Sequence, residues 1–384
     1  MKVSDVEVKK PKLLLLVTVP DSLIFFRKQL KSLSEVFDVT VSCPRGSMVS
    51  TFIESEGVNY IPLSINRQLS PLHDLRTVYN LCKIIQSVQP DILHVNTPKA
   101  SLLGLIAGFL MRVKVRLYVC HGFAHHSRQN STTQYFLKNL ERIRCLLSTH
   151  VLSVSSSLQD ELSKFSGAKK VDLINNGSIN GVEVDCVAKN IQFAPIYNPS
   201  SKPNEPFRLL FVGRVTKDKG IDELFCSFEE LFAEGIDISL QVVGKIENAD
   251  YVDEIERMSR RYSANFEYLG FLDDPLPVMS KNHLLVFPSY REGFGMVVIE
   301  AASVNLPSLA FPNLGTTSVI ESGVNGFLTV EQTSSELTDI IRSLIGSPEE
   351  LNKVKGKLAE LASRYERESV IKATKVYLEQ LLRL

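Results

Sequence analysis

The stretch "FPSYREGFGMVVIEAAS" (287–303) decides the reading of this chain. An apolar run ends in Pro-Ser, two glycines follow at Gly293 and Gly295, and an apolar segment carrying Glu300 comes next. Two carboxylates, Glu292 and Glu300, bracket "GFGMVVI". Glycines at a strand-to-helix junction let the backbone approach a ligand, and the first amides of a helix have no partner within it. A helix starting around Gly295 can therefore turn its N–H groups toward a diphosphate or a sugar. Glu292, just ahead of the helix, can accept hydrogen bonds from sugar hydroxyls. Glu300 lies about a turn and a half into the helix. Its neighbours Val297, Val298, Ile299, Ala301 and Ala302 are apolar, and a carboxylate in such company needs donors. A ribose diol supplies two. The structural alternative makes Glu292 a partner of the helix dipole and Glu300 a salt-bridged helix residue.

Outward from this stretch the chain alternates strand and helix. Ahead of it, "KLLLLVTV" (12–19), "DVTVSCP", "PDILHVN", "VRLYVCHG", "HVLSVS" and "VDLINNG" read as strands. "SLIFFRKQLKSLSEV", "HDLRTVYNLCKIIQSVQ", "ASLLGLIAGFLMR" and "TQYFLKNLERIRCLLS" read as the helices between them. "APIYNPSSKPNEPF" (194–207) holds four prolines and reads as an interdomain linker. The alternation then restarts with "RLLFVGR", "ISLQVVG", "FEYLGF", "LLVFPS" and "PSLAF" as strands. Continuous apolar strands alternating with helices indicate an α/β protein with parallel sheets covered on both faces. We expect a first domain over 1–193, a linker over 194–207 and a second domain over 208–365. The amphipathic C-terminal segment, about 366–384, is expected to return to the first domain. Open parallel sheets bind ligands beyond the carboxyl ends of their strands. Two Rossmann-like domains facing across a cleft would thus put their strand-end residues into that cleft.

The chain's 384 residues suit two domains, and its apolar fraction of 44% and charged fraction of 22% are those of a folded globular protein. The net charge is zero but uneven. Lys and Arg outnumber Asp and Glu by 23 to 15 over 1–195 and are outnumbered 28 to 20 over 196–384. A basic first half suits an anionic partner, or else reflects solvated faces that differ in charge. The six cysteines (Cys43, Cys82, Cys120, Cys145, Cys186, Cys226) have no CxxC spacing and are expected to be buried thiols of a reducing compartment. The polar start and the short run "LLLLVTV" show no secretory signal. The longest apolar stretch, "SLLGLIAGFLM" (101–111), is too short to span a membrane. It reads as a core helix or as one face of a membrane-surface helix.

Other strand ends carry polar residues. In "FVGRVTKDKG" (211–220), Gly213 permits a turn, and Arg214 and Lys219 precede a helix beginning near Gly220. Two cations beside a helix N-terminus favour phosphate, although the spacing is not that of a P-loop. The alternative pairs both with surface acids. "LYVCHGF" (117–123) places His121 at a strand end, and "DILHVNTPKASLLG" (91–104) places Asn96, Thr97 and Lys99 at another. His94 reads as a satisfied core histidine, and His125 and His126 as loop residues with no third metal ligand.

These residues together resemble a known family. "GRVTKDKG", "YLGF" and "PSYREGFGMVVIEA" resemble the donor-binding lobe of glycosyltransferase family 4, the retaining transferases of GT-B fold. "HVNTPKASLLG", "VCHGF" and "NNGSINGVEVD" resemble its bacterial capsule, O-antigen and exopolysaccharide members. The match covers about 12–340. The resemblance implies that Arg214 and Lys219, after Gly213, grip the donor pyrophosphate and that Glu300 binds the ribose. It implies that Glu292, with the backbone of Gly293, Phe294 and Gly295, holds the transferred sugar, with Met296 and Val297 beside it. Leu269, Gly270 and Phe271 should lie near the base, and His121 should approach the transferred sugar from the other lobe. The departure is in the first loop, "TVPDSLIFFRKQL" (18–30), which lacks the glycine pair many members have. Ser22 and Arg27 then become acceptor or phosphate candidates, with Asn96 and Lys99.

The implied function is a retaining transfer of sugar from a nucleotide-sugar, UDP-sugar by family weight, to a glycan or a polyprenyl-diphosphate-linked sugar. No cofactor and no metal are expected, since two cations meet the phosphates and Asp273-Asp274 precedes Pro275 as a turn. The expected setting is cytoplasmic, with peripheral contact on the inner membrane face through basic residues of the first half. One rival is a non-hydrolysing UDP-sugar 2-epimerase; another is a non-catalytic nucleotide-sugar-binding protein, which would not require both His121 and Glu292. A nucleic-acid binder is disfavoured, because basic and aromatic residues do not interleave along a stripe.

Overall fold

A computed structural model describes residues 9–66, 70–123, 131–184, 192–198 and 205–383. The chain divides into two compact units. One comprises Met1–Asn180 with Glu368–Leu384, the other Gly181–Arg367.

The first unit is built on seven strands: β1 (Lys12–Leu16), β2 (Asp38–Cys43), β3 (Asn59–Pro62), β4 (Ile92–Val95), β5 (Val115–Cys120), β6 (His150–Ser153) and β7 (Val171–Leu173). They form one parallel sheet in the order β3-β2-β1-β4-β5-β6-β7. Leu13–Leu16 of β1 are buried, as an all-apolar central strand covered on both faces must be. Six helices intervene: α1 (Gln29–Ser34), α2 (Val49–Glu56), α3 (Pro71–Val88), α4 (Pro98–Leu110), α5 (Ser131–Leu147) and α6 (Ser156–Ser163). The run 101–111 belongs to α4, which packs between α3 and α5 and buries most of its length. Within the run itself only Phe109 and Leu110 are exposed. No helix among the described residues is long and apolar enough to cross a membrane.

The expected helix "SLIFFRKQLKSLSEV" is broken. A 3₁₀ turn covers Pro20–Phe26, Lys28 takes a left-handed conformation with φ 65°, and α1 starts only at Gln29. Its start is fixed from outside: the buried Glu56 carboxylate of α2 accepts from Lys28 N at 2.6 Å and Lys31 N at 2.9 Å. A carboxylate there neutralises the helix N-terminus, so a tertiary cap sets a boundary that periodicity cannot show.

The second unit repeats the plan. Its strands are β8 (Phe207–Val212), β9 (Ile238–Val243), β10 (Phe266–Gly270), β11 (Leu284–Phe287), β12 (Ser308–Ala310) and β13 (Phe327–Leu328), parallel in the order β10-β9-β8-β11-β12-β13. The helices are α7 (Ile221–Ala233), α8 (Asp250–Arg261), α9 (Leu276–Met279), α10 (Met296–Ser303), α11 (Ser334–Gly346) and α12 (Pro348–Ser363). The last helix, α13 (Arg367–Arg383), returns to the first unit, where Lys375 pairs with Glu35 at 2.7 Å and the Tyr377 hydroxyl donates to Asp172 at 2.9 Å.

The division between units falls earlier than the expected linker. The chain crosses first at Asn180/Gly181 rather than at 193, and again at Arg367/Glu368, within two residues of the expected 366. The described part of the proline-rich stretch is a packed strap of the second unit. Ala194 N donates to Val304 O at 2.8 Å, and the buried Lys355 ammonium donates to Ala194 O at 3.0 Å and Pro195 O at 2.6 Å. Tyr197 packs edge-on against Phe207. Proline-rich composition suits such a strap as well as a loose linker, because prolines leave no N–H to satisfy.

The cysteines are more varied than expected. Cys43, Cys120 and Cys145 are buried, and burial pushes the Cys43 thiol up to about 11 and the other two to about 12. Cys82 is part-buried and Cys226 is exposed on α7. Cys186, like His125 and His126, lies outside the described residues.

Candidate functional site

In both sheets the strand order reverses beside the first strand of the unit, between β1 and β4 and between β8 and β11. The crevice beyond such a reversal is where open α/β sheets bind ligands.

In the second unit, β8 leads into Gly213 and Arg214, and β11 into Pro288 and Ser289. Gly220 caps α7 in the left-handed conformation, φ 70°, and a Cβ there would lie 2.0 Å from Pro288 O. Glycine therefore lets the start of α7 press against the Pro288 turn, which brings Lys219 to Glu292. These two form an ion pair with side chains 14% and 16% exposed, and Ser289 Oγ donates to the same carboxylate at 2.7 Å. Lys219 also lies 5.6 Å above the Phe287 ring. Arg214, 46% exposed, reaches Glu247 at 2.7 Å and Asp218 at 3.3 Å, and Arg291 reaches Asp218 at 3.4 Å. Burial pushes the Asp218 carboxyl up, but Thr216, Arg214, Arg291 and Lys219 outweigh it and hold the group below its ordinary range.

The α10 helix begins at Gly295 as expected, and its cap position supplies no side-chain acceptor. Glu300 follows on this helix, part-exposed, and no hydrogen bond from a described residue reaches its carboxylate. Burial pushes it up to about 7, against the pull of Arg367 and with a small push from Asp274. Met296 and Val297 are part-exposed. The Phe294 ring is buried against Tyr365, centroids 5.2 Å apart, which leaves its backbone, the part the resemblance assigns, to serve a ligand.

Leu269 and Gly270 end β10, and Phe271, just beyond it, is exposed. Gly270 O accepts from Gly244 N at 2.8 Å. Gly244, which the sequence reading passed over, has φ 148°, and a Cβ on it would fall 1.7 Å from Gly213 O. Three glycines thus line the ends of β8, β9 and β10. The signal was present: "QVVGK" after β9 repeats "LFVGR" after β8. Asp218, Ser289 and Arg291 were also passed over, and so was Asn313. Its Nδ2 donates to Ser289 O at 2.8 Å and its Oδ1 accepts from Gly315 N and Thr316 N, both at 3.0 Å. Asp273-Asp274 is a turn as read, with Asp274 Oδ1 accepting from Leu276 N.

In the first unit, the ends of β4 and β5 bring Asn96 and His121 together. His121 Nε2 lies 2.8 Å from Asn96 Oδ1, and Asn96 Nδ2 lies 3.1 Å from Nδ1 of the buried His94. Burial pushes His121 down to about 4, and burial followed by the neighbouring His121 pushes His94 down to about 3. Both rings are therefore neutral at pH 7. The start of α4 is closed from β1: Thr18 Oγ1 accepts from Ala100 N at 3.0 Å and pairs with Thr97 Oγ1 at 2.6 Å. Lys99, an acceptor or phosphate candidate, is paired with Asp74 at 2.8 Å. Ser22 sits in the 3₁₀ turn, and the Arg27 side chain is exposed while its carbonyl accepts from Asn180 Nδ2 at 2.8 Å. Neither reaches the Asn96–His121 pair through a hydrogen bond among the described residues. No group of three or more His, Cys, Asp or Glu among the described residues is placed to hold a metal ion.

Two parallel-sheet units of this build, the second carrying cations and carboxylates at its reversal point, are the arrangement expected of a GT-B glycosyltransferase. Residues 28–178 match Glycosyltransferase Family 4, and residues 194–359 match Glycosyl transferases group 1. The chain belongs to these glycosyltransferases. It is 28% identical over 342 residues to the capsular polysaccharide biosynthesis glycosyltransferase CapM of Staphylococcus aureus, covering 88% of each chain. It is 21% identical over 319 residues to the UDP-Gal:alpha-D-GlcNAc-diphosphoundecaprenol alpha-1,3-galactosyltransferase of Escherichia coli, covering 80% of this chain and 78% of that one. Its fold is similar to that of Anabaena HepE, whose crystal structure is a complex with UDP and glucose. That likeness has a TM-score of 0.74 at 21% identity and covers 97% of this chain and 100% of that one.

Proposed function

We propose that this glycosyltransferase moves a sugar from a UDP-sugar, with retention, to a glycan or a polyprenyl-diphosphate-linked sugar during surface polysaccharide synthesis. The observation that carries the donor assignment is Glu300, a part-buried carboxylate that no described residue hydrogen-bonds and that burial drives up to about 7. A ribose diol is the chemistry that completes it, since a carboxylate accepts and the diol donates. The relatives support the rest. One is named for capsular polysaccharide synthesis, one for a UDP-Gal donor and a diphosphoundecaprenol acceptor, and a protein of the same fold was crystallised with UDP.

Within the second unit, the donor diphosphate takes Arg214 and Lys219 away from their present acid partners. Glu292, released by Lys219, accepts from hydroxyls of the transferred sugar. Charge that develops on the departing diphosphate meets cations fixed before the reaction begins, which is where such sites do most of their catalytic work. This arrangement neutralises the leaving group without a metal ion. No carboxylate stands as an obvious nucleophile, so we favour front-face retention, with the leaving phosphate helping to deprotonate the acceptor. The first unit's part is His121, as an acceptor for a substrate hydroxyl.

The reading also includes docking of the first unit on the inner, anionic membrane face. The surface that supports this is not 101–111, which is mostly buried, but the flanking helices, where Leu72, Leu75 and Tyr79 on α3 and Tyr135, Phe136 and Leu146 on α5 are exposed. Arg76, Lys83, Arg112, Lys114 and Arg142 are exposed on the same helices or the turn after α4. Apolar side chains among cations suit anionic headgroups.

The decisive experiment incubates the protein with UDP-sugars and a lipid-linked sugar acceptor, with and without EDTA. Transfer of sugar with its anomeric configuration kept, undiminished by EDTA, is the expected result. An epimerised nucleotide sugar formed from donor alone would replace the transferase mechanism with that of a 2-epimerase. Product with inverted configuration would remove retention.

A further inference from the structure

We infer that Asn96 is a positioning residue whose carboxamide fixes His121 with its proton on Nε2, leaving Nδ1 bare to accept a hydrogen bond from a substrate hydroxyl. The hydroxyl part of this statement rests on the transferase reading above; the tautomer part rests on geometry alone.

Asn96 is 1% exposed and sits where β4 ends beside β1, its own N–H bonded to Leu16 O at 3.1 Å. Its two side-chain atoms face two imidazoles: Oδ1 meets His121 Nε2 at 2.8 Å, and Nδ2 meets His94 Nδ1 at 3.1 Å. A neutral imidazole has one N–H and one bare nitrogen, while a carboxamide oxygen only accepts and its nitrogen only donates. The amide therefore couples the rings. With Oδ1 toward His121, that ring must be protonated on Nε2, and His94 must be bare at Nδ1 and protonated on Nε2. Rotating the amide by half a turn would reverse both rings at once and put the His121 proton on Nδ1.

The surroundings decide between the two arrangements. His121 Nδ1 is buried, and among the described residues no hydrogen-bond partner reaches it. An orphaned buried N–H is rarer and costlier than an acceptor left short of a donor. The arrangement with a bare Nδ1 instead leaves the unbonded N–H on Nε2 of His94, which lines the pocket and is not fully sealed, and is thus the favoured one before ligand arrives. The pocket beside the two rings has a volume of about 40 Å³, with Phe26, Gln29, Leu152 and Ser178 also on its wall. Roughly 10–15 Å³ accommodates a water, so the pocket has room for a hydroxyl; Nδ1 itself is covered in the ligand-free protein, and a hydroxyl that displaces its cover supplies the donor it lacks.

The test reads the tautomers directly. Long-range proton–nitrogen NMR of the ligand-free protein with nitrogen-labelled histidine, assigned with His94→Gln and His121→Gln, separates protonated from bare ring nitrogens. At pH 8 the wild-type rings of His121 and His94 should both carry their proton on Nε2. Asn96→Asp offers acceptors to both rings, so the His94 proton should move to Nδ1 while His121 stays as it was. Asn96→Leu should let the His121 tautomers mix and should lower kcat by on the order of tenfold, the worth of one lost hydrogen bond, without raising KM for the nucleotide-sugar. A wild-type His121 protonated on Nδ1 would overturn the inference, and so would an unmoved His94 proton in Asn96→Asp. Normal turnover in Asn96→Leu would remove the positioning role even with the tautomers as expected. The wild-type spectrum needs no substrate and no variant of Asn96. It therefore stands if the transferase reading fails, and it can be recorded if the Asn96 variants do not fold.

Discussion

Two sheets with the same strand logic end in opposite chemistry. Around the ends of β1, β4 and β5 the first unit places Thr18 bonded to Thr97, and Asn96 bonded to two neutral histidines, His94 and His121. Beyond β8 and β11 the second unit places Arg214, Asp218, Lys219, Arg291 and Glu292, paired as ions. The helix that follows is treated just as differently. Thr18 closes the start of α4 with its hydroxyl, whereas glycine caps α7 and α10 and offers no side-chain acceptor. An open helix end with cations is an anion site; a closed one with a neutral network is a site for hydroxyls. The topology supplies a crevice twice, and only the side chains at the strand ends decide what each crevice can hold.

The sharpest way to break this contrast is Lys219→Ala. If the second crevice works through fixed positive charge, losing Lys219 should lower kcat by about 10²–10³-fold. The affinity for the nucleoside part should change far less, because Glu300 is untouched. Steady-state kinetics against titration with UDP would separate the two. Equal losses in both would mean that Lys219 is a general structural element and that the charge contrast has no catalytic meaning.

Glu300→Gln sharpens the contrast from the other side, since it removes charge while keeping shape. Donor hydrogen bonds to a carboxylate are worth more than those to an amide, so UDP binding should weaken by roughly 10- to 100-fold. The free protein should respond in the opposite sense. The folded-state value of about 7 lies above the unfolded value of 4.5. Between these two the folded state binds more protons, so stability falls as pH rises through that window and the penalty is complete above about 7. The glutamine variant should therefore be more stable than wild type at pH 8, by about 1–3 kcal/mol, with no difference at pH 4. Thermal melting at both pH values, with and without UDP, measures both effects. A variant less stable at pH 8 would mean that Glu300 is a satisfied structural group.

The sequence carried most of the second unit and less of the first, for physical reasons. Strands such as β1, β8 and β11 are continuous apolar runs that can only be central strands. Gly295 and Gly220 start their helices where the glycines suggested. The edge elements were harder to read. β3 is part-exposed and β13 has two residues, so neither carries enough apolar sequence to announce itself. The interruption at Lys28 depends on Glu56, a partner 28 residues away. Of the site residues, Arg214, Lys219 and Glu292, each charged and beside a glycine, were found, as was Glu300 among apolar neighbours, whereas the charged Asp218 and Arg291, with neither mark, were not. Asn313 and Ser289 were not, because their role is to hold other backbone in place, and nothing local marks a residue for that. Asn96 and His121 were each found separately, but their bond joins two strand ends, and strand-end neighbours are known only once the sheet order is known.

The smallest expected effect tests the first crevice as a closed network. Thr18→Val keeps the volume of the side chain and removes the hydroxyl that accepts from Ala100 N and pairs with Thr97. Two buried polar groups then lose a partner, which should cost about 1–3 kcal/mol of stability in chemical denaturation. UDP should protect the variant as well as it protects wild type, because the proposed donor groups all belong to the other sheet. Strengthened binding of phosphate by the variant would carry a different lesson. It would mean that the first crevice retains the anion-binding capacity of its fold and that a single hydroxyl suppresses it. The neutral character of this crevice would then be imposed by Thr18, and one substitution would bring the two sheets back toward the same chemistry.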